Sequence, residues 1–208
     1  MLYSKKRKFV FVHIYKTAGT SFAAALRPFG ESSWKRLLSR VLRQFGLPDP
    51  LLRGHQTASE LIDVLGRQTF DSCFTFAVVR NPWDWQVSLY NFMQKKPTHI
   101  QHEAVKKIGS FDEYIRKRCL ENCSFQRIGT QRDFIYSESD ELLVDFVGRF
   151  ESLQADFESI CSRIGVSATL PRLNVYNTRP YRQFYTAETR EMVSQTFASD
   201  ISLLGYEF

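Results

Sequence analysis

Apolar residues fall into two kinds of pattern along this chain. Residues 8–14 (Lys-Phe-Val-Phe-Val-His-Ile) and 73–79 (Cys-Phe-Thr-Phe-Ala-Val-Val) are short, nearly continuous apolar runs rich in β-branched and aromatic side chains. Such runs predict strands buried on both faces of a sheet. Elsewhere apolar positions recur every three or four residues, the period of a helix with one buried face. Phe22, Ala25, Leu26 and Phe29 follow it and stop at Pro28 and Gly30, and positions 34, 37, 38, 41, 42 and 45 follow it until Gly46, Pro48 and Pro50 break the run. Further helices are predicted over 59–65, from 81 to about 95, and over 111–120, 153–164 and 188–197. The helix after 73–79 has the clearest start, with Asn81 as cap, Pro82 in the first position and Asp84 in the first turn. Residues 51–55 and 142–150 are expected as strands, 129–140 as a polar loop, 171–182 as irregular chain and 205–208 as a tail. Strands alternating with helices predict an α/β architecture: a central, mainly parallel sheet flanked by helices in three layers.

The 208 residues suit a single domain spanning 1–208, with two domains as the outlying alternative. A chain of this size buries roughly 70% of its unfolded surface and needs no disulfide or metal staple. Cys73, Cys119, Cys123 and Cys161 lack CxxC spacing and are expected as free thiols. The net charge of +6 and pI near 9.2 point to an anionic partner without choosing among nucleotide, polysaccharide, nucleic acid and acidic membrane. Lys5, Lys6, Arg7 and Lys8 form the one tight basic cluster, expected as a solvated lead-in to the first strand. No run approaches the roughly 20 apolar residues of a membrane span. The run before His13 is too short for a secretory leader. The expectation is a cytoplasmic protein.

The candidate chemistry starts where the first strand meets its helix. Lys16, Thr17, Ala18, Gly19, Thr20 and Ser21 form a small-residue turn there. Unpaired N–H groups at a helix start carry the positive end of the helix dipole, and small side chains let an anion approach them. Lys16 adds a full charge, and Thr20 and Ser21 add hydroxyls. The architecture is P-loop-like, yet GxxxxGK[ST] is absent because the lysine leads the turn. Arg80 ends the second buried strand, and Ser88 lies two helical turns beyond it. The carboxyl ends of parallel strands are where such folds bind ligands, and the guanidinium fork matches phosphate geometry. An ordinary βα turn, a surface ion pair and a solvated serine remain the plain alternatives for these residues.

Together these segments resemble the carbohydrate sulfotransferases that use 3′-phosphoadenosine 5′-phosphosulfate (PAPS). His13-Ile-Tyr-Lys-Thr-Ala-Gly-Thr-Ser21 is similar to their 5′-phosphosulfate loop, close to HIPKTAGTS, with Tyr15 where the family usually has proline. Arg80-Asn-Pro82 with Ser88, Tyr90 and Phe92 is similar to their 3′-phosphate motif, roughly RxPxxxxxSxYxF. Arg53-Gly-His55 resembles a segment of the heparan and dermatan 2-O-sulfotransferase group. Gly148-Arg-Phe-Glu151 and the ending 200–206 resemble bacterial members. The resemblance implies that Lys16 meets the bridging oxygen of the donor and that residues 17–21 hold its 5′-phosphate. It also implies that Arg80 and Ser88 hold the 3′-phosphate and that His55 is the general base. PAP (3′-phosphoadenosine 5′-phosphate) would be the product, no metal would be required, and the acceptor would be a hydroxyl of a carbohydrate or glycolipid. By residue type His13, His99 and His102 compete with His55, and Glu60 and Glu103 stand further out.

Two other classes stay open. A P-loop-type nucleotide kinase or phosphotransferase would need magnesium, and the strand ending in Arg80 lacks the acidic end such enzymes use. A non-catalytic polyanion-binding module is allowed by the charge, but no nucleic-acid-binding signature is present and no nucleic-acid partner is expected.

Overall fold

The computed structural model describes residues 1–30, 55–121, 129–173 and 179–208. The helix expected over 34–45, its break at 46–50 and the strand over 51–55 (apart from His55) lie outside the described residues, as do Cys123 and positions 174–178 of the expected irregular stretch. Four strands are described: β1 (Leu2–Ser4), β2 (Phe9–Val12), β3 (Phe74–Val79) and β4 (Phe146–Arg149). The described α-helices are α1 (Gly19–Leu26), α2 (Ala58–Leu65), α3 (Arg67–Asp71), α4 (Pro82–Lys95), α5 (His102–Ile108), α6 (Phe111–Leu120), α7 (Arg132–Ile135), α8 (Leu153–Ile164), α9 (Ala187–Thr196) and α10 (Ala198–Leu204). The chain forms two compact units, one from Met1–Val79 and Asp133–Leu173, the other from Arg80–Arg132 and Asn174–Phe208.

The first unit holds the sheet, in the order β1-β2-β3-β4. β2, β3 and β4 are parallel, with Val12 opposite Ala77 and Val79 opposite Arg149. The mixed α/β architecture with a mostly parallel central sheet thus stands as the sequence predicts. β1 is an addition: it pairs antiparallel with β2, and the basic cluster forms the exposed turn of that hairpin. Residues alternate across a strand, so Phe9, Phe11, Phe76 and Val78 share one face. On it lie Phe22 and Leu26 of α1 and Phe157, Ile160, Cys161 and Ile164 of α8. Phe22 stacks on Phe11 at 5.6 Å and meets Phe157 edge-on at 5.1 Å.

Two expectations need correction. The strand expected over 142–150 is confined to β4; Leu142 makes only an isolated antiparallel bridge with Tyr136. Between them Asp145 is spent on Thr75, whose backbone N–H and hydroxyl donate to its carboxylate at 2.7 and 2.8 Å. The expected polar loop over 129–140 contains α7, with Phe134 and Ile135 fully buried.

The second unit is helical. Asn81 accepts from the Trp83 N–H and Pro82 opens α4, the start its sequence predicts. Trp85 of α4 meets Phe197 at 6.0 Å, and Tyr90 meets Phe111 and Tyr114 at 5.4 and 5.3 Å. A capping box between Thr186 and Thr189 starts α9. Among the described residues no helix is long and apolar enough to cross a membrane, and Cys73, Cys119 and Cys161 are free.

Phe22 carries the contact between α1, the sheet and α8 at 0% exposure. Phe22→Ala should destabilise the protein by about 3–5 kcal/mol through lost burial and the cavity left behind. Urea denaturation followed by circular dichroism measures this, and a change below about 1 kcal/mol would contradict the assigned core.

Candidate active site

The 16–21 turn is shaped by backbone conformations that non-glycine residues seldom adopt. Lys16 and Ala18 both have positive φ, 65° and 66°, while Thr17 between them does not. Alternating hand along three residues turns successive N–H groups towards one side, the arrangement that makes an anion-binding concavity. Thr17 is buried and its hydroxyl donates to the Ile14 carbonyl at 3.0 Å, closing the turn on the end of the β2 segment. Ala18 caps α1 and its carbonyl accepts from the Ser21 and Phe22 N–H groups. Lys16 is half-buried and Thr20 exposed. Ser21 is buried; its oxygen accepts from the Leu173 N–H at 3.3 Å, and its own proton remains available to donate.

Gly19 is required by a close approach. A Cβ there would fall on Cδ2 and Nε2 of His13, so the imidazole occupies the space any side chain would need. The His13 ring stacks on Phe11 at 5.6 Å and lies 4.5 Å from the His55 ring. Burial first, then the His55 ring and the N-terminal amine, push the His13 pKa well below its ordinary 6.5. It is a neutral packing element.

His55 is brought to the entry of the same turn. Its Nδ1 lies 3.0 Å from the His13 carbonyl oxygen, and its ring meets Tyr15 edge-on at 5.5 Å. A carbonyl only accepts, so Nδ1 carries the hydrogen and the neutral ring has its basic lone pair on Nε2. His55 also has positive φ, at 71°. Tyr15 in turn meets Phe134 edge-on at 5.3 Å, so the residue standing where the resemblance expects proline is a packed aromatic. The competing histidines are differently used. His99 Nδ1 accepts from the Gln101 N–H, which puts its hydrogen on Nε2, and buried His102 donates to the Met93 carbonyl. Glu60 closes the capping box of α2 with Thr57.

Lys16, Thr17, Ala18, Gly19, Thr20, Ser21 and His55 belong to the first unit; Arg80 and Ser88 belong to the second. Arg80 Nε donates to Asp84 at 2.7 Å, with both side chains largely buried. Ser88 is buried on α4, one turn beyond Asp84. The main chain of Arg80 is held on both sides by Gln131, which accepts from its N–H at 2.8 Å and donates to its carbonyl at 2.7 Å. Sequence reasoning passed over Gln131, because a glutamine in a polar stretch carries no signal of burial. Asp200, which binds the Gln131 N–H, did stand within the 200–206 ending that resembles bacterial sulfotransferases. Among the described residues no group of three or more His, Cys, Asp or Glu is placed to hold a metal ion.

A model described as "Sulfotransferase family" matches residues 1–207. A protein from Archaeoglobus fulgidus, described only as uncharacterized, is 24% identical over 120 residues, which is 57% of this chain and 91% of that one. The crystal structure of mouse sulfotransferase SULT7A1 complexed with PAP aligns with a TM-score of 0.47 and 13% identity, covering 99% of this chain and 91% of that chain.

The half-buried His13, whose ring is largely withdrawn from water, predicts how stability depends on pH. The folded state keeps the imidazole neutral, whereas the unfolded chain takes up a proton near pH 6.5. The contribution is therefore complete above about pH 6.5 and is lost progressively as pH falls below it. Denaturant midpoints measured between about pH 7.5 and 5 should fall more steeply for the wild type than for His13→Gln. Equal slopes would exclude this origin.

Proposed function

The chain belongs to the sulfotransferase family, and we propose that it moves a sulfuryl group from PAPS to a hydroxyl of a carbohydrate or glycolipid. One observation carries this reading. Of the five non-glycine residues with positive φ among the described residues, three are Lys16, Ala18 and His55. Left-handed backbone costs a non-glycine residue about 1–2 kcal/mol, and such outliers cluster where function demands the geometry.

The roles follow from the chemistry. The acceptor oxygen attacks sulfur in line, the bond from sulfur to the 5′-phosphate oxygen breaks, and PAP leaves with that bond's electron pair. Charge grows on the bridging oxygen as the bond breaks, so Lys16 there stabilises the transition state more than the ground state. The N–H groups of 17–20 and the hydroxyls of Thr20 and Ser21 hold the 5′-phosphate. Nε2 of His55 takes the acceptor proton, a role that the hydrogen bond from Nδ1 to His13 supports by setting the tautomer. Arg80 and Ser88 hold the 3′-phosphate. The parallel register of β2 and β3 supports this division, since the two strands lead respectively into the 16–21 turn and into Arg80. The family match across 1–207 supports reading both units as one sulfotransferase domain.

Lys16→Ala should lower sulfuryl transfer by roughly 10²–10³-fold, and His55→Ala by roughly 10²–10⁴-fold, with melting temperatures close to wild type. Radiolabelled PAPS transfer to a glycan and glycolipid panel measures both. Wild-type turnover in His55→Ala removes the base assignment and leaves the donor reading standing.

Calorimetry without added metal should give tighter binding of PAP than of ATP. Preference for ATP, dependent on magnesium, would replace this reading with a phosphotransferase.

A further inference from the structure

Arg80 follows β3 and precedes α4, where its backbone N–H and carbonyl have left the strand ladder and not yet joined a helix. Buried backbone groups in that position need partners. The Gln131 amide supplies both, at 2.8 and 2.7 Å, reproducing the two-point pairing of a neighbouring strand with a side chain. Gln131 itself is 0% exposed. Its own main chain is fixed in turn: Asp200, also 0% exposed, accepts from the Gln131 N–H at 2.9 Å and from the Arg132 N–H at 2.7 Å. Asp84 then holds the guanidinium through Nε. Arg80 is thus held at its backbone from one side and at its side chain from the other.

We infer that Gln131, braced by Asp200, is a positioning residue for the donor's 3′-phosphate, acting through the backbone of Arg80. The inference rests on the assignment of Arg80 to that phosphate. A guanidinium fork discriminates a phosphate only if it stands in a fixed place, and a shift of about 1 Å in such a group costs on the order of 10²-fold. A mobile long side chain on an unclamped backbone would not hold that precision. The clamp therefore acts on one ligand feature, the phosphate that separates PAP from adenosine 5′-phosphate, and not on the adenosine or the 5′ end.

The test compares PAP with adenosine 5′-phosphate by isothermal titration on the full chain. Gln131→Met keeps length and apolar bulk but removes both hydrogen bonds. It should weaken PAP by roughly 10–100-fold while adenosine 5′-phosphate stays within about twofold. Asp200→Asn, a milder change that keeps one acceptor oxygen, should move the ratio in the same direction by less and serves if Gln131→Met fails to fold. Equal loss for both ligands, or no loss for either, would mean the glutamine only stabilises the fold and would overturn the inference. Arg80→Ala in the same assay separates the two claims. A collapsed ratio there beside an intact ratio in Gln131→Met overturns the clamp alone. An intact ratio in Arg80→Ala overturns the assignment of Arg80, and the clamp with it.

Discussion

The tightest constraint in the first unit is the space between His13 and the start of α1. The imidazole stands where a side chain on Gly19 would have to be, so the turn, the helix start and the end of the β2 segment share one packing solution. The consequences run outward from there. The ring stays neutral because the fold withdraws it from water, its backbone carbonyl fixes the tautomer of His55, and the hydroxyl of Thr17 ties the turn to Ile14. Lys16 and Ala18 adopt left-handed backbone within this frame. A site built on such strain needs a rigid support, and the face of phenylalanines between the sheet, α1 and α8 supplies it.

The second unit solves a similar problem with different means. No glycine or strained backbone marks Arg80. Its place is set by hydrogen bonds from residues far along the chain, through Gln131 and then Asp200. Around it the helical packing is aromatic: Trp85 on Phe197, and Tyr90 between Phe111 and Tyr114. The two devices suit the two chemistries proposed for them. Backbone N–H groups converging on a phosphate need special φ values, whereas a guanidinium needs a fixed Cα and a held side chain.

Much of this was legible from local pattern, and the exceptions have physical reasons. β2, β3 and helices α4, α6 and α8 lie where their periodicities predict, because burial on both strand faces or along one helix face leaves a direct imprint on composition. β1 leaves no pattern because three residues carry no period, and α10 leaves none because its seven residues, with Asp200 buried, do not form an apolar stripe. α7 hid inside a polar stretch, where Phe134 and Ile135 are apolar neighbours too few to read as a helix. The strand expected over 142–150 was too long because Leu142, Leu143 and Val144 are apolar without being paired in the parallel ladder. Asp145 diverts the chain there by bonding to Thr75.

By itself the sequence determined the α/β class, the order of strand, turn and helix at the first motif, the capped start of α4 and the resemblance to sulfotransferases. These depend on residues adjacent in the chain, whose spacing survives without knowledge of the fold. Only the tertiary structure decided that His55 is held by the carbonyl of His13 and that His13 needs Gly19. It alone revealed that Gln131 and Asp200 fix the backbone of Arg80. Those are contacts between residues separated by as many as 69 positions, and a hydrogen bond formed across such a distance leaves no mark on local periodicity.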